Sequence, residues 1–170
     1  TDNKSLDEFA YQYFNAPLYM DRFEAIEAAQ SKEVEAAGQK LILAALKDKY
    51  YGLRLKAVRA LKMNNKEIHD AALPVLTTLA KSDANTLVRA AALTALGKLK
   101  DPAYMNIYKE AIGSQSYAVQ GAALTAINGI DSLQALTLAK GFEKDNLGAL
   151  TQAMITVFAT NGSSEAWKAV

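Results

Sequence analysis

Five segments of the chain repeat one pattern of small and branched residues. They run from Arg22 to Ala29, Arg54 to Leu61, Arg89 to Leu96, Gln120 to Ile127 and Thr151 to Phe158, and their starts lie 32, 35, 31 and 31 residues apart. One column holds Ala25, Ala57, Ala92, Ala123 and Met154, and the next holds Ile26, Val58, Leu93, Leu124 and Ile155. Two further columns hold Ala28, Ala60, Ala95, Ala126 and Val157, then Ala29, Leu61, Leu96, Ile127 and Phe158. Apolar residues three and four positions apart make one face of a helix. A fixed period of this length restricts the chain to repeat architectures, in which each unit buries its apolar face against its neighbours. The alanines let neighbouring helices come close.

Partner helices are predicted between these segments, at 33–47, 67–81, 102–113 and 131–142. Ile68, Ala71, Ala72, Val75, Leu76 and Leu79 show the same spacing in one of them, and Ala103, Ile107, Ala111 and Ile112 in another. Asp101 before Pro102 reads as an N-cap with proline at the first helical position. Asp131 with Gln134, and Ser5 with Glu8, read as capping boxes. The connections, such as Met63-Asn64-Asn65-Lys66 and Lys81-Ser82-Asp83, are short and polar, as helix neighbours require. Pro74 falls inside a predicted helix and should kink it.

The Trp and Tyr landmarks of tetratricopeptide repeats and the Thr-Pro-Leu-His of ankyrin repeats are absent. Leu87-Val88-Arg89-Ala90-Ala91-Ala92-Leu93-Thr94-Ala95-Leu96-Gly97-Lys98-Leu99 resembles the short HEAT-like repeat of the phycobilin-lyase type. Leu53 to Leu61 is similar, and so is Val119 to Gly129, with Gln120 in place of the arginine. The resemblance spans about residues 19–160. It implies an all-α fold, an α-α superhelix or HEAT-like solenoid of about five helix pairs, as one domain over 1–170. Residues 1–18 would cap or link, and the repeats would occupy about 19–48, 50–82, 84–114, 116–145 and 147–170. Such repeats serve many roles, so the fold leaves function open.

The chemistry available is narrow. Cysteine is absent from the 170 residues, which excludes disulfides, thiolate metal sites and cysteine nucleophiles. His69 is the single histidine; a catalytic triad or a His-Glu-x-x-His zinc site needs more. It lies in the polar run Glu67-Ile68-His69-Asp70 and reads as a solvent-facing helix residue. The carboxylate pairs Glu24/Glu27 and Glu33/Glu35 have lysines close by and read as solvated charge. The nine glycines are scattered, without a phosphate-binding loop. The 19 basic and 18 acidic residues are evenly spread, so nucleic acid is a poor partner, and no apolar run has the length of a membrane span. The chain is therefore read as non-catalytic, with no catalytic, cofactor-binding or metal-binding residue. Because it begins at Thr1 without Met and ends within a helical pattern, it is read as a piece of a longer protein.

Two groups of residues invite a role. Arg22, Arg54 and Arg89 occupy equivalent repeat positions, and Asp48 and Asp83 each precede an arginine by six residues. A ladder of arginines would suit an acidic ligand. An aspartate in the turn, pairing with an arginine in its own or the next repeat, would neutralise it. That structural reading is adopted, with Asp48 and Arg54, and Asp83 and Arg89, as the expected pairs. The second group is aromatic and gathers at the start of the chain: Phe9, Tyr11, Tyr13, Phe14, Tyr19 and Phe23, followed by Tyr50 and Tyr51. The end of a solenoid needs a polar cap or a partner. These aromatics fit either a packed cap or a docking surface, the latter made by Phe9, Tyr13, Phe14 and Tyr19.

Tyr11 to Ile26, with its Ala16-Pro17-Leu18-Tyr19-Met20-Asp21-Arg22 core, looks like the join between the catalytic region and the C-terminal helical domain of bacterial zinc aminopeptidases of the aminopeptidase N family. Asp48 to Ala57 is similar. The family's His-Glu-x-x-His and Gly-x-Met-Glu-Asn motifs do not occur here, so no catalytic residue carries over. The resemblance implies a supporting domain that braces a preceding catalytic domain or limits access to its cleft. Zinc would then be held by that domain alone, in an envelope or secreted parent. The alternative is an independent HEAT-repeat scaffold that binds another protein.

Overall fold

A computed structural model of the chain describes residues 4–31, 36–63, 65–142 and 147–161, Ala36 by its backbone alone. Among them are ten α-helices, one 3₁₀ turn and no strand. They are α1 (Leu6–Asn15), α2 (Tyr19–Ser31), α3 (Ala36–Ala45), α4 (Tyr51–Ala60), α5 (Lys66–Ser82), α6 (Thr86–Gly97), a 3₁₀ turn (Pro102–Tyr104), α7 (Met105–Ile112), α8 (Tyr117–Asn128), α9 (Ser132–Lys140) and α10 (Ala149–Thr160). The all-α expectation holds. The chain divides into two compact units, Thr1–Leu76 and Thr77–Val170.

Local chemistry sets many of the helix starts. Ser5 and Glu8 form the complete capping box of α1, with both reciprocal bonds. The Asn85 side chain accepts the Leu87 and Val88 N–H groups at the start of α6. Asp101 accepts the Ala103 N–H, with Pro102 at the first position of the 3₁₀ turn that leads into α7. Asp131 accepts the Gln134 N–H and caps α9. Helix α5 continues through Pro74 unbroken. Glu33 and Glu35, Asn64, and the part of the last repeat after residue 161 lie outside the described residues.

In the first unit α2 is central and packs on α1, α3 and α4. Its core contains Ile26, Ile42, Leu46 and Leu53, all fully buried. In the second unit α8 plays that part, packed on α6, α7, α9 and α10. Val88, Leu93, Leu96, Leu124, Ile127 and Leu150 fill the core around it. The repeat columns explain these cores. Ala25, Ala57, Ala92 and Ala123 are wholly buried, and so are Ile26, Leu93 and Leu124 beside them. The last repeat departs from the pattern, because Ile155 is exposed while Met154 is buried. Among the described residues α10 meets α8 and α9, which leaves the flank bearing Ile155 uncovered by them.

The small residues have a steric reason. A Cβ at Gly121 would lie 2.5 Å from the Ala149 carbonyl oxygen, and one at Gly97 would lie 2.8 Å from the Ala126 Cβ. Tyr108 of α7 is fully buried, yet its hydroxyl has no hydrogen-bond partner among the described residues. Burial, with the nearby Tyr104 and Asp101, pushes its pKa up to about 12. A buried hydroxyl without a partner has lost its hydration for nothing. Tyr108→Phe is therefore expected to raise stability by about 1 kcal/mol, as read by urea unfolding. A loss of stability would mean that the hydroxyl is bonded.

Candidate functional site

The polar centre of the first unit is Asp48, in the turn between α3 and α4. Its Oδ2 accepts the Tyr13 hydroxyl at 2.9 Å and the Arg22 Nε at 3.0 Å. Its Oδ1 accepts the Tyr50 N–H at 2.8 Å and the Arg22 Nη2 at 3.4 Å. Tyr13, Arg22 and Asp48 are all buried, with exposures of 6, 7 and 9%. Burial pushes the Asp48 carboxyl up, but the Tyr50 N–H, the bonds from Arg22 and Tyr13 and the Arg22 charge together hold it below the usual aspartate range. The same setting pushes the Tyr13 phenol well up, through burial first and then its bond to Asp48.

This changes the expected pairing. Asp48 forms its ion pair with Arg22, and Arg54 instead donates Nη1 to the carbonyls of Asp48, at 2.8 Å, and Lys49, at 3.1 Å. Asp83 accepts the Asn85 N–H at 2.8 Å, while Arg89 turns its Nε to the Ala80 carbonyl at 3.4 Å. A common backbone pattern also runs through this position. Arg22 Nη1 reaches the carbonyls of Ala16 and Pro17, and the Gln120 amide reaches that of Ile112. At this repeat position the side chain donates to carbonyls at or just beyond the end of the preceding helix. Gln120 can serve this backbone contact where three of the other repeats have arginine, because donating to a carbonyl needs an N–H and no charge. The acceptors six residues earlier form a matching series: Asp48, Asp83 and Ser114 each take the N–H two residues on, as turn residues do.

The aromatic group divides in two. Phe9 and Tyr13, both expected on a docking surface, are buried at 8 and 6% exposure and are corrected to core. They stand four residues apart on the face of α1 that meets α2. Phe14 and Tyr19 remain on the surface. With Tyr11, Leu18, Met20, Tyr50 and Tyr51 they form an exposed apolar set on α1, the following elbow, and the starts of α2 and α4. The Tyr19 and Tyr50 ring centroids lie 4.7 Å apart and those of Tyr50 and Tyr51 5.1 Å apart. The edge of the Phe14 ring meets Tyr13 at 5.1 Å. Leu18 and Met20 join this surface although no aromatic ring marks them in the sequence.

Among the described residues no group of three or more histidine, aspartate or glutamate side chains could hold a metal ion, and no helix is long and apolar enough to cross a membrane. His69 Nδ1 lies 3.1 Å from the neighbouring Asp70 carboxylate on the surface of α5. A family model described as HEAT repeats matches residues 38–128 and, in an overlapping second match, residues 73–159. No curated protein matches the chain.

Proposed function

As this chain belongs to the HEAT-repeat family, we propose that it serves as a non-catalytic docking module whose N-terminal end seats against a folded neighbour. The neighbour we propose is the catalytic domain of a zinc aminopeptidase-like polypeptide. One observation carries the reading. Tyr11, Phe14, Leu18, Tyr19 and Met20 are exposed, and all five lie within the Tyr11 to Ile26 stretch that resembles a domain join. Tyr19 continues through ring contacts into the exposed Tyr50 and Tyr51, an apolar patch of the kind that marks interaction sites, and aromatic side chains are favoured anchors of protein interfaces. In this role the chain holds no zinc of its own and hydrolyses no aminoacyl substrate. Metal analysis with an anilide assay checks that part, and stoichiometric zinc with turnover would overturn it.

The docking part is tested with Phe14→Ser and Tyr19→Ser together. Both side chains point outward, so the fold, followed by circular dichroism, is expected to survive. Affinity for the aminopeptidase-like catalytic domain supplied in trans is expected to drop at least about tenfold, as for loss of an aromatic anchor. Unchanged affinity would remove these residues from the interface.

A further inference from the structure

The elements that carry the exposed aromatic set converge on one side chain. We propose that Asp48 is a latch, a positioning residue that holds α1 and the α1–α2 elbow against the start of α4, and that α1 opens as a unit when the latch is removed. The geometry is specific. From α1 comes the Tyr13 hydroxyl, from α2 the Arg22 guanidinium, and from the start of α4 the Tyr50 N–H, all on one buried carboxylate. Arg22 extends the hold to the elbow through the carbonyls of Ala16 and Pro17.

Helix α1 depends on such a hold. It has 10 residues, shorter than the roughly 12–15 at which an isolated helix becomes even marginally stable in water. Its buried side chains are Leu6, Phe9 and Tyr13, and Tyr13 is itself a latch partner. A second polar tie, from Gln12 Nε2 to the Asp21 carbonyl and the Glu24 carboxylate at 2.7 Å each, lies nearer to solvent, where water competes for it. Tyr50 links latch and surface directly: its N–H binds Asp48 while its ring lies against Tyr19. Opening α1 moves Tyr11 and Phe14, which it carries, relative to Tyr19 on α2 and Tyr50 at the start of α4, so the latch sets the shape of the docking surface. That consequence rests on the docking reading, whereas the latch itself does not.

Amide hydrogen exchange on the chain alone separates the two. In Asp48→Asn and in Tyr13→Phe, amides 9–15 are expected to exchange at least tenfold faster, while amides 86–128 keep their rates. Tyr13→Phe removes one hydroxyl from a ring that otherwise fits, so it decides the matter if Asp48→Asn fails to fold. The double variant is expected to exchange no faster in α1 than Asp48→Asn, because both changes open the same latch. The nuclear Overhauser contact between the Tyr19 and Tyr50 rings should weaken in Asp48→Asn. Unchanged exchange in α1, or acceleration spread equally over 86–128, would overturn the latch. Failure of the wild-type chain to dock, with the latch intact, would overturn the docking reading alone.

Discussion

Asp48→Ala is expected to lower the stability of the first unit by about 3–5 kcal/mol, the range for breaking a buried ion pair by removing one partner. The loss arises mainly in what is left behind. Arg22 has 7% exposure, and without Asp48 its charge keeps, among the described residues, the carbonyls of Ala16 and Pro17. The Tyr13 hydroxyl and the Tyr50 N–H lose an acceptor in the same step. Exchange of the slowest core amides, at Ile26, Ile42 and Leu53, reads the change. Replacing Arg22 as well should return part of the loss, because the stranded charge goes with it. A cost below about 1 kcal/mol would place the pair among weak surface bridges. Acid should act in the same direction. The folded Asp48 carboxyl titrates below its ordinary value, so the charged form is favoured by folding. Its contribution is complete above the usual aspartate pKa of about 3.9 and is lost as pH falls from there through the lower folded value.

Gly121→Val is the second large effect. Its Cβ would stand 2.5 Å from the Ala149 carbonyl oxygen, 2.7 Å from the carbonyl carbon and 3.1 Å from the Leu150 nitrogen. Non-bonded carbon contacts are comfortable only at about 3.5–4.0 Å, and these neighbours are backbone atoms that no rotamer change can move. The start of α10 must shift away from α8, which undoes the packing that buries Leu150 and Met154. A loss of about 3 kcal/mol, the upper end for overpacking, is expected in urea unfolding. Gly113→Ala is the control, since its nearest atom is the Glu110 carbonyl oxygen at 3.5 Å. If the two substitutions prove equally mild, the close approach of α8 and α10 is wrong.

Much of the fold could be read from the residues because helical periodicity is a local signal. Ala25 with Ile26, Ala92 with Leu93 and Ala123 with Leu124 announce a buried face, and that face is buried. The caps at Ser5, Asn85 and Asp101 act on N–H groups two or three residues on, so such a cap is legible in a few consecutive residues. What escaped was set by packing between distant segments. Six residues separate Asp48 from Arg54, which made them look like partners. The arginine that reaches the carboxylate is 26 residues away, on α2, and only the assembly of α2, α3 and α4 brings it there. The aromatics show the same limit on a smaller scale. Phe9 and Tyr13 share a face at a spacing of four, and Phe14 follows Tyr13 by roughly 100° around the helix. Grouping all three as one surface ignored that turn. Which face α1 offers to α2 was fixed by Leu6, Phe9 and Tyr13 acting together.

The central claim, that the N-terminal end of this HEAT-repeat chain is its docking face, is met most directly by amide hydrogen exchange of the chain with and without the aminopeptidase-like catalytic domain. Added protection is predicted over residues 6–23 and at Tyr50 and Tyr51, where the exposed aromatic side chains stand, with α6 and α8 unchanged. Protection that falls instead on α6 and α8, with 6–23 left as it was, would contradict the claim and make the chain a scaffold that binds through its central repeats.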